Sequence, residues 1–381
     1  MSYRITLDKA PAGYALENAS EGGLLKVAVR EFTSSEDGEL FISRLEGFPS
    51  DILGRLPPSA GVRPASLEHM LAVIHPDLGV DVYVNDCQVR ARVRAARSVQ
   101  AGEVVREDDI ADVDVLEFVG AEVPPDAAVV CILSAGWRKG LFFDVAPLGP
   151  DRPARDYDLW GVLGSFYAYL MNQLVFKLDE SQWEILFSQG WFPFVSLPKR
   201  ILRQMISAVR SGSGTEQYTQ SVVEAIRAMA PLIRSRWREP ALYQEHLPLL
   251  EHAMERFLEG DYVSATSILY PRIEGILRSI HTASGAASSF NQSRLAQAAV
   301  DAWVDKVHDY SWLLPNRFKE YLEKVYFAGF SPGQPASLSR HSVGHGVAQP
   351  CDFDQKHACI AILIVDQLRF LLPIHQTPVT P

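Results

Sequence analysis

One stretch near the C-terminus concentrates the side chains that can do chemistry. Residues 339–346 read Ser-Arg-His-Ser-Val-Gly-His-Gly, with one arginine, two histidines and two glycines. Arg340 is a permanent cation whose planar fork of donors suits a phosphate. His341 and His345 can accept or donate a proton near neutral pH. These residue types together form a set for phosphodiester chemistry that needs no metal, with Arg340 over the phosphate oxygens and His345 handling the proton.

The spacing within this motif constrains its backbone. Side chains five positions apart on a regular α-helix point about 140° away from each other. Arg340 and His345 therefore converge on one phosphate only where the backbone bends. Gly344 and Gly346 permit conformations that other residues avoid. We expect the motif in an irregular loop or a first helical turn, ahead of a long apolar helix predicted over 353–372.

The composition sets the broad class of the chain. Its 381 residues predict two or three domains, and 47% hydrophobic with 22% charged residues is typical of a globular protein. The formal net charge of −10 means that any contact with a polyanion needs a local basic patch. No basic region followed by an apolar run opens the sequence, and the longest apolar run, 358–365, is too short to cross a bilayer. We therefore expect no signal peptide and no membrane partner.

The cysteines indicate the compartment. They are few and widely separated in the sequence, which favours reduced thiols and a cytoplasmic location. They are Cys87, Cys131, Cys351 and Cys359.

The chain divides by pattern into three segments, and the fold class we predict is α+β and multidomain. Residues 1–150 are expected to form a β-rich domain, 151–239 a helical connector with a basic face, and 240–381 an all-α bundle. Short apolar or alternating runs separated by Gly, Pro and Asp predict the strands. These runs are 24–29, 40–45, 80–84, 89–93, 113–119, 128–133 and 141–145. One helix is predicted at 66–74, and a linker at 149–153.

A basic stretch lies within the predicted connector. Residues 194–239 hold eight Lys or Arg against three Glu, a local charge of +5. Such a stretch could guide an RNA backbone into a site. More often such a stretch is simply the solvated face of two helices. Lys199, Arg200 and Arg203 are its candidate substrate-binding cations.

The motif resembles that of a known superfamily. Arg340-His341-x-x-x-His345-Gly346, before the last long helix of a predicted all-α bundle, resembles the R-x4-6-H motif of the HEPN superfamily. The segment from Tyr262 to Arg278, which contains Glu274, resembles the partner helix of that family. The resemblance covers about residues 240–373.

The resemblance implies a function and an assembly. It implies an all-α HEPN-like bundle and metal-independent cleavage of RNA without a cofactor, as in bacterial anti-phage and toxin-type systems, with RNA as partner and tRNA as one candidate. It implies a homodimer through the C-terminal bundle, in which both motifs line one cleft. Analogy with the family also implies a sensing or regulatory role for residues 1–150. Arg340, His341, His345 and Glu274 are the candidate catalytic residues, with Glu274 orienting Arg340 or a histidine. Arg272 and Arg278 join the candidate substrate-binding cations.

Two other interpretations stay open. A bundle of this type can serve as a noncatalytic RNA-binding, protein-binding or signalling module. A zinc site is the other, because His341 and His345 are four apart and Cys351, His357 and Cys359 follow. His357 and Cys359 would point to different sides of a helix, and no C-x-x-C is present. We therefore predict no metal.

Overall fold

The computed structural model separates the chain into two compact units. It describes residues 2–62, 66–85, 87–149, 154–285, 291–304, 310–330 and 338–372. Unit 1 comprises Met1–Val93 and Val113–Gln173, and unit 2 comprises Arg94–Asp112 and Leu174–Pro381. The linker predicted at 149–153 falls mostly on residues that lie outside the described ranges.

The strands lie in the first 144 residues. They are β1 Ser2–Thr6, β2 Tyr14–Ala15, β3 Val27–Ala28, β4 Arg30–Ser34, β5 Met70–Ile74, β6 Gly79–Val84, β7 Val89–Ala95, β8 Ile110–Phe118, β9 Ala128–Ala135 and β10 Arg138–Asp144.

The helices begin within unit 1 and continue to the end of the described chain. They are α1 Glu39–Leu45, α2 Phe48–Gly54, α3 Leu159–Met171, α4 Gln173–Phe176, α5 Glu180–Ser188, α6 Lys199–Arg210, α7 Thr219–Arg238, α8 Leu247–Glu259, α9 Tyr262–Ala283, α10 Gln292–Ala298, α11 Asp301–Val304, α12 Pro315–Tyr321, α13 Arg340–Gly344 and α14 Gln355–Leu371. A π-helical turn, Leu322–Tyr326, follows α12. Within the described ranges, no helix is both long enough and apolar enough to cross a bilayer.

Unit 1 is built on an antiparallel sheet of six strands in the order β1-β6-β5-β9-β10-β4. Central strand β5 reads Met-Leu-Ala-Val-Ile and is buried at every position, because both faces of the sheet are covered. Phe41 of α1 and Ile52 of α2 join the core on one face. On the other face, α3 packs on β9 and β10, with Phe166 tilted against Phe142 at a ring-centroid distance of 5.2 Å. The N-terminal part of the chain thus contains an antiparallel sheet, as the α+β fold class predicts.

Two element predictions in this unit are wrong. Residues 40–45, predicted as a strand, lie in helix α1. Phe41 and Arg44, three apart, are its buried positions, and Arg44 Nε contacts Glu31 Oε2 at 2.6 Å. Residues 70–74 of the helix predicted at 66–74 form strand β5, because a short apolar run fits a buried strand as well as a helix.

Unit 2 is helical from α5 onwards and holds one continuous core. Its buried side chains come from α5, α6 and α7 as well as from α8, α9 and α14. Residues 174–239 thus share this core with the C-terminal helices instead of forming a separate connector. Helix α9 is central, since α8, α10, α13 and α14 all pack against it. Its first turn is capped by Asp261, whose carboxylate accepts a hydrogen bond from Ser264 N at 3.0 Å.

Candidate functional site

The motif forms a single short helical turn, α13, held by its own serines. Ser339 precedes the turn, and its Oγ accepts a hydrogen bond from Ser342 N at 3.2 Å. Ser342 Oγ in turn accepts from Ser339 N at 2.8 Å. Both serines are buried. This reciprocal capping fixes where the turn begins, so that Arg340 is its first residue.

The turn ends where the glycines permit it. His345 follows the last helical residue, and its N–H donates to His341 O at 2.9 Å. Gly346 has a φ of +68°, in the left-handed region that favours glycine. Val347 N then donates back to Ser342 O at 2.9 Å. The expectation of a first turn instead of a mid-helix position is confirmed.

A buried carboxylate holds the arginine. Glu274 lies on α9 and is 8% exposed. Its Oε1 accepts from Arg278 Nε at 2.9 Å and from Arg278 Nη2 at 2.7 Å, while its Oε2 contacts Arg340 Nε. One carboxylate therefore anchors two guanidinium groups, leaving a local charge of +1 from these three residues. The contact predicted between Glu274 and Arg340 is present.

The guanidinium of Arg340 folds back along its own turn. A Cβ added at Gly344 would lie 3.3 Å from Arg340 Nη1. This separation is a tight contact, so a larger residue at position 344 would push the guanidinium away. Gly344 thereby lets Arg340 approach the end of the turn, where His345 follows.

The two histidines form a stacked pair. The ring centroids of His341 and His345 are 6.0 Å apart with an interplanar angle of 10°. His345 is exposed, and the ring of Phe330 lies 5.7 Å from it on another side. Nε2 of His341 contacts the amide nitrogen of Gln292 at the start of α10. A neutral imidazole can accept a hydrogen bond from this amide nitrogen through Nε2.

The electrostatic surroundings favour that neutral form. Partial burial lowers the pKa of His341, and the positive charge of Arg340 and the proximity of the His345 ring lower it further. Glu274 acts in the opposite direction. Arg340, the two imidazoles and Glu274 therefore interact as one cluster.

The candidate substrate-binding cations on α9 do not all face this cluster. Arg278 shares Glu274 with Arg340, and its side chain is 47% exposed. Arg272 lies two residues before Glu274, about 200° around the helix. Its charge acts on His246 instead, and His246 faces Gly275 on that side of α9. Arg278 thus belongs to the cluster and Arg272 does not.

The cations on α6 differ from one another in exposure. Lys199 is 6% exposed, its Nζ lies 4.4 Å from the centre of the Trp312 ring, and burial lowers its pKa to about 8. A buried ammonium cannot bind an RNA backbone, so its prediction as a substrate-binding residue is corrected. Arg203 contacts Glu107, and Arg200 is exposed.

Most of the other arginines in the basic stretch form hydrogen bonds or ion pairs within unit 2. Arg227 donates to the carbonyls of Leu258 and Phe257 at the end of α8. The other contacts are ion pairs: Arg234 with Glu251 and Glu255, Arg236 with Asp366, and Arg238 with Glu251. The local charge of +5 is therefore mostly neutralised by acids of neighbouring helices, which favours the structural interpretation of this stretch.

Two neighbours of the motif were not predicted. Gln292 contacts His341 across 49 positions of sequence, and Phe330 contacts His345 across 15. Neither residue belongs to a recognisable pattern, and only the packing of α10 and of the chain after the π-helical turn brings them here.

The residues considered for zinc are used otherwise. His357 Nδ1 contacts Asp354 Oδ1 at 2.9 Å, and Cys359 is buried in the core of unit 2. Among the residues that the structure describes, no group of three or more His, Cys, Asp or Glu side chains is placed to hold a metal ion.

Comparisons of the chain with protein-family models, with curated protein sequences and with solved structures found no match.

Proposed function

We propose that the chain is a metal-independent endoribonuclease that uses the ribose 2′-OH of RNA as the nucleophile. One observation carries the proposal. A guanidinium anchored by a buried carboxylate and two stacked imidazoles share one capped turn, with His345 exposed. The further parts of the proposal rest on the resemblance of the motif to HEPN proteins. These are an all-α HEPN-like bundle at the C-terminus, a homodimer through it, a cytoplasmic location, a bacterial anti-phage or toxin-type role, and tRNA as one candidate substrate.

The proposed chemistry assigns each group a step. His345 accepts the proton of the 2′-OH, whose oxygen attacks the adjacent phosphorus. The bond to the 5′-oxygen breaks, and the leaving oxygen takes a proton from water, which is restored when His345 releases the proton that it accepted. Arg340 donates to the non-bridging oxygens as negative charge develops on them. The products are a 2′,3′-cyclic phosphate and a 5′-hydroxyl, and no cofactor is required.

His341 is expected to titrate below the usual value of about 6.5 for a histidine. Its burial and the positive charge of Arg340 beside it disfavour the imidazolium, so the ring is mostly neutral at pH 7 and gains a proton only as the pH falls further. NMR titration of histidine side chains, assigned with His341→Asn, measures this pKa. Arg340→Gln should move it part of the way back up, because burial remains. A pKa of His341 above 6.5 in the wild type would contradict the geometry described for the cluster.

The direct test is incubation of purified protein with total RNA and with tRNA in the presence of EDTA. The proposal predicts cleavage by the wild type and none by His345→Ala or Arg340→Ala. Loss of cleavage in EDTA would indicate that the reaction depends on a metal ion. Cleavage by both variants at the wild-type level would show that Arg340 and His345 are not needed for the reaction.

A noncatalytic binding module is the second candidate, and one observation favours it. Arg340 Nε is already engaged by Glu274, and the arginine side chain is only 32% exposed, as a purely structural arginine would be. In that case His345→Ala would leave any toxicity on expression unchanged. Toxicity that disappears in His345→Ala would favour catalysis.

A further inference from the structure

A pocket lies among the helices of unit 2, apart from the cluster around Arg340. It has a volume of about 260 Å³ and is lined by residues of α5, α9, the π-helical turn and the first turns of α14. Pockets for drug-sized ligands usually span about 300–1,000 Å³, so this one suits a smaller molecule. The apolar part of its lining is formed by Phe187, Tyr270 and Ile360.

Two lysines give this pocket its charge. Lys324 and Lys356 both line it, against one lining carboxylate, Glu184, among the described residues. Glu184 contacts Lys324 and is 59% exposed, while Glu320 contacts the same lysine at 2.8 Å. Lys356 is 12% exposed and pairs with Glu216, which is 67% exposed. Both glutamates are largely exposed, so water weakens their pairing with the lysines, and a ligand anion can take the place of Glu184 and Glu216.

The remaining polar lining includes one further donor. Gln189 Oε1 accepts a hydrogen bond from Thr215 N at 2.9 Å. The amide nitrogen of Gln189 is therefore the group that can donate a hydrogen bond to a ligand. Donors on the walls call for acceptors on the ligand.

We propose that this pocket binds a small anion that carries an apolar group. Its phosphate or carboxylate is received by Lys324 and Lys356, and its apolar part packs on Phe187 and Tyr270. Leu338 also lines the pocket and directly precedes Ser339, the cap of α13. A bound anion therefore touches the segment that positions Arg340. The proposal concerns binding and stands whether or not the chain cleaves RNA.

The test is isothermal titration calorimetry on the full chain with three probes of similar shape. Phenyl phosphate and benzoate carry the two candidate anionic groups, and benzamide is the neutral control. At least one of the anions should bind with one site per chain, and benzamide should not. Lys356→Met and Lys324→Met should each weaken the binding about tenfold or more, whereas Lys356→Arg should retain it.

Lys319→Met is the matched control, because Lys319 lies on α12 outside the pocket lining. Circular dichroism melting of each variant separates loss of the ligand from loss of the fold. Binding of phenyl phosphate alone identifies the ligand class as a phosphate, and binding of benzoate alone as a carboxylate. Failure of both anions at millimolar concentration, or binding that Lys324→Met and Lys356→Met leave unchanged, overturns the proposal.

Discussion

Replacing His345 by alanine is expected to lower the rate of RNA cleavage by about 10²–10⁴-fold, the range that a positioned general acid or base contributes. His345 is the exposed imidazole of the stacked pair, and it follows directly on the turn that holds Arg340. The rate is measured with a labelled RNA in EDTA, under single-turnover conditions. The fold should survive, because the side chain is outside the core.

Arg340 should show a graded response in the same assay. Arg340→Ala removes the charge over the phosphate and should abolish cleavage. Arg340→Lys restores the charge without the planar fork, so it should recover only part of the rate. It also loses the Nε contact that Glu274 makes with the arginine.

A surface histidine provides the control for these variants. His252 lies on α8, is 51% exposed and makes a 3.8 Å contact with Glu255. His252→Ala should cleave RNA at the wild-type rate. Equal rates for His345→Ala and His252→Ala would show that the motif takes no part in the reaction.

Breaking the buried ion pair between Arg236 and Asp366 is expected to be the most damaging single change to the fold. Arg236 Nε donates to Asp366 Oδ1 at 3.0 Å, and the two side chains are 6% and 0% exposed. Arg236 Nη1 also donates to Ala96 O at 2.8 Å. Asp366→Asn leaves a buried guanidinium without its counter-charge, so the free energy of unfolding should fall by about 3–5 kcal/mol. Urea denaturation followed by circular dichroism measures it.

Two further variants separate the charge effect from a loss of packing. The double variant Arg236→Met with Asp366→Leu should be more stable than Asp366→Asn, because an apolar pair of similar volume needs no counter-charge. Arg238→Met lies on the same helix, where Arg238 is 56% exposed and pairs with Glu251. It should cost only about 0–1 kcal/mol. Equal losses for Asp366→Asn and Arg238→Met would contradict the assignment of Arg236–Asp366 as a central contact.

Sequence patterns predicted the strands that are apolar runs bounded by turn residues. The runs at 80–84, 128–133 and 141–145 lie in β6, β9 and β10, because apolar runs bounded by turn residues suit strands of a sheet covered on both faces. The run at 40–45 failed because six residues can satisfy a period of two and a helical period together. Only the burial of Phe41 and Arg44 on one side decides for the helix.

The motif was predictable in its local form and less so in its surroundings. The glycines at 344 and 346 predicted the short turn, since the side chains five apart cannot converge on a regular helix. The contact of His341 with Gln292 depends on where α10 packs and leaves no trace in the local sequence. Lysines are mostly exposed, so Lys199 was predicted as a surface cation. The structure instead buries it, with its ammonium over Trp312.

The most direct test of the proposed ribonuclease uses two oligonucleotides of one sequence. The first is all RNA and carries a site cleaved by the wild-type chain in EDTA. The second has a single 2′-deoxy sugar immediately 5′ of that scissile phosphate. Our account predicts that the first is cut to a 2′,3′-cyclic phosphate and a 5′-hydroxyl, and that the second is not cut at that position. Cleavage of the 2′-deoxy oligonucleotide there, or a 5′-phosphate on the product, would contradict it.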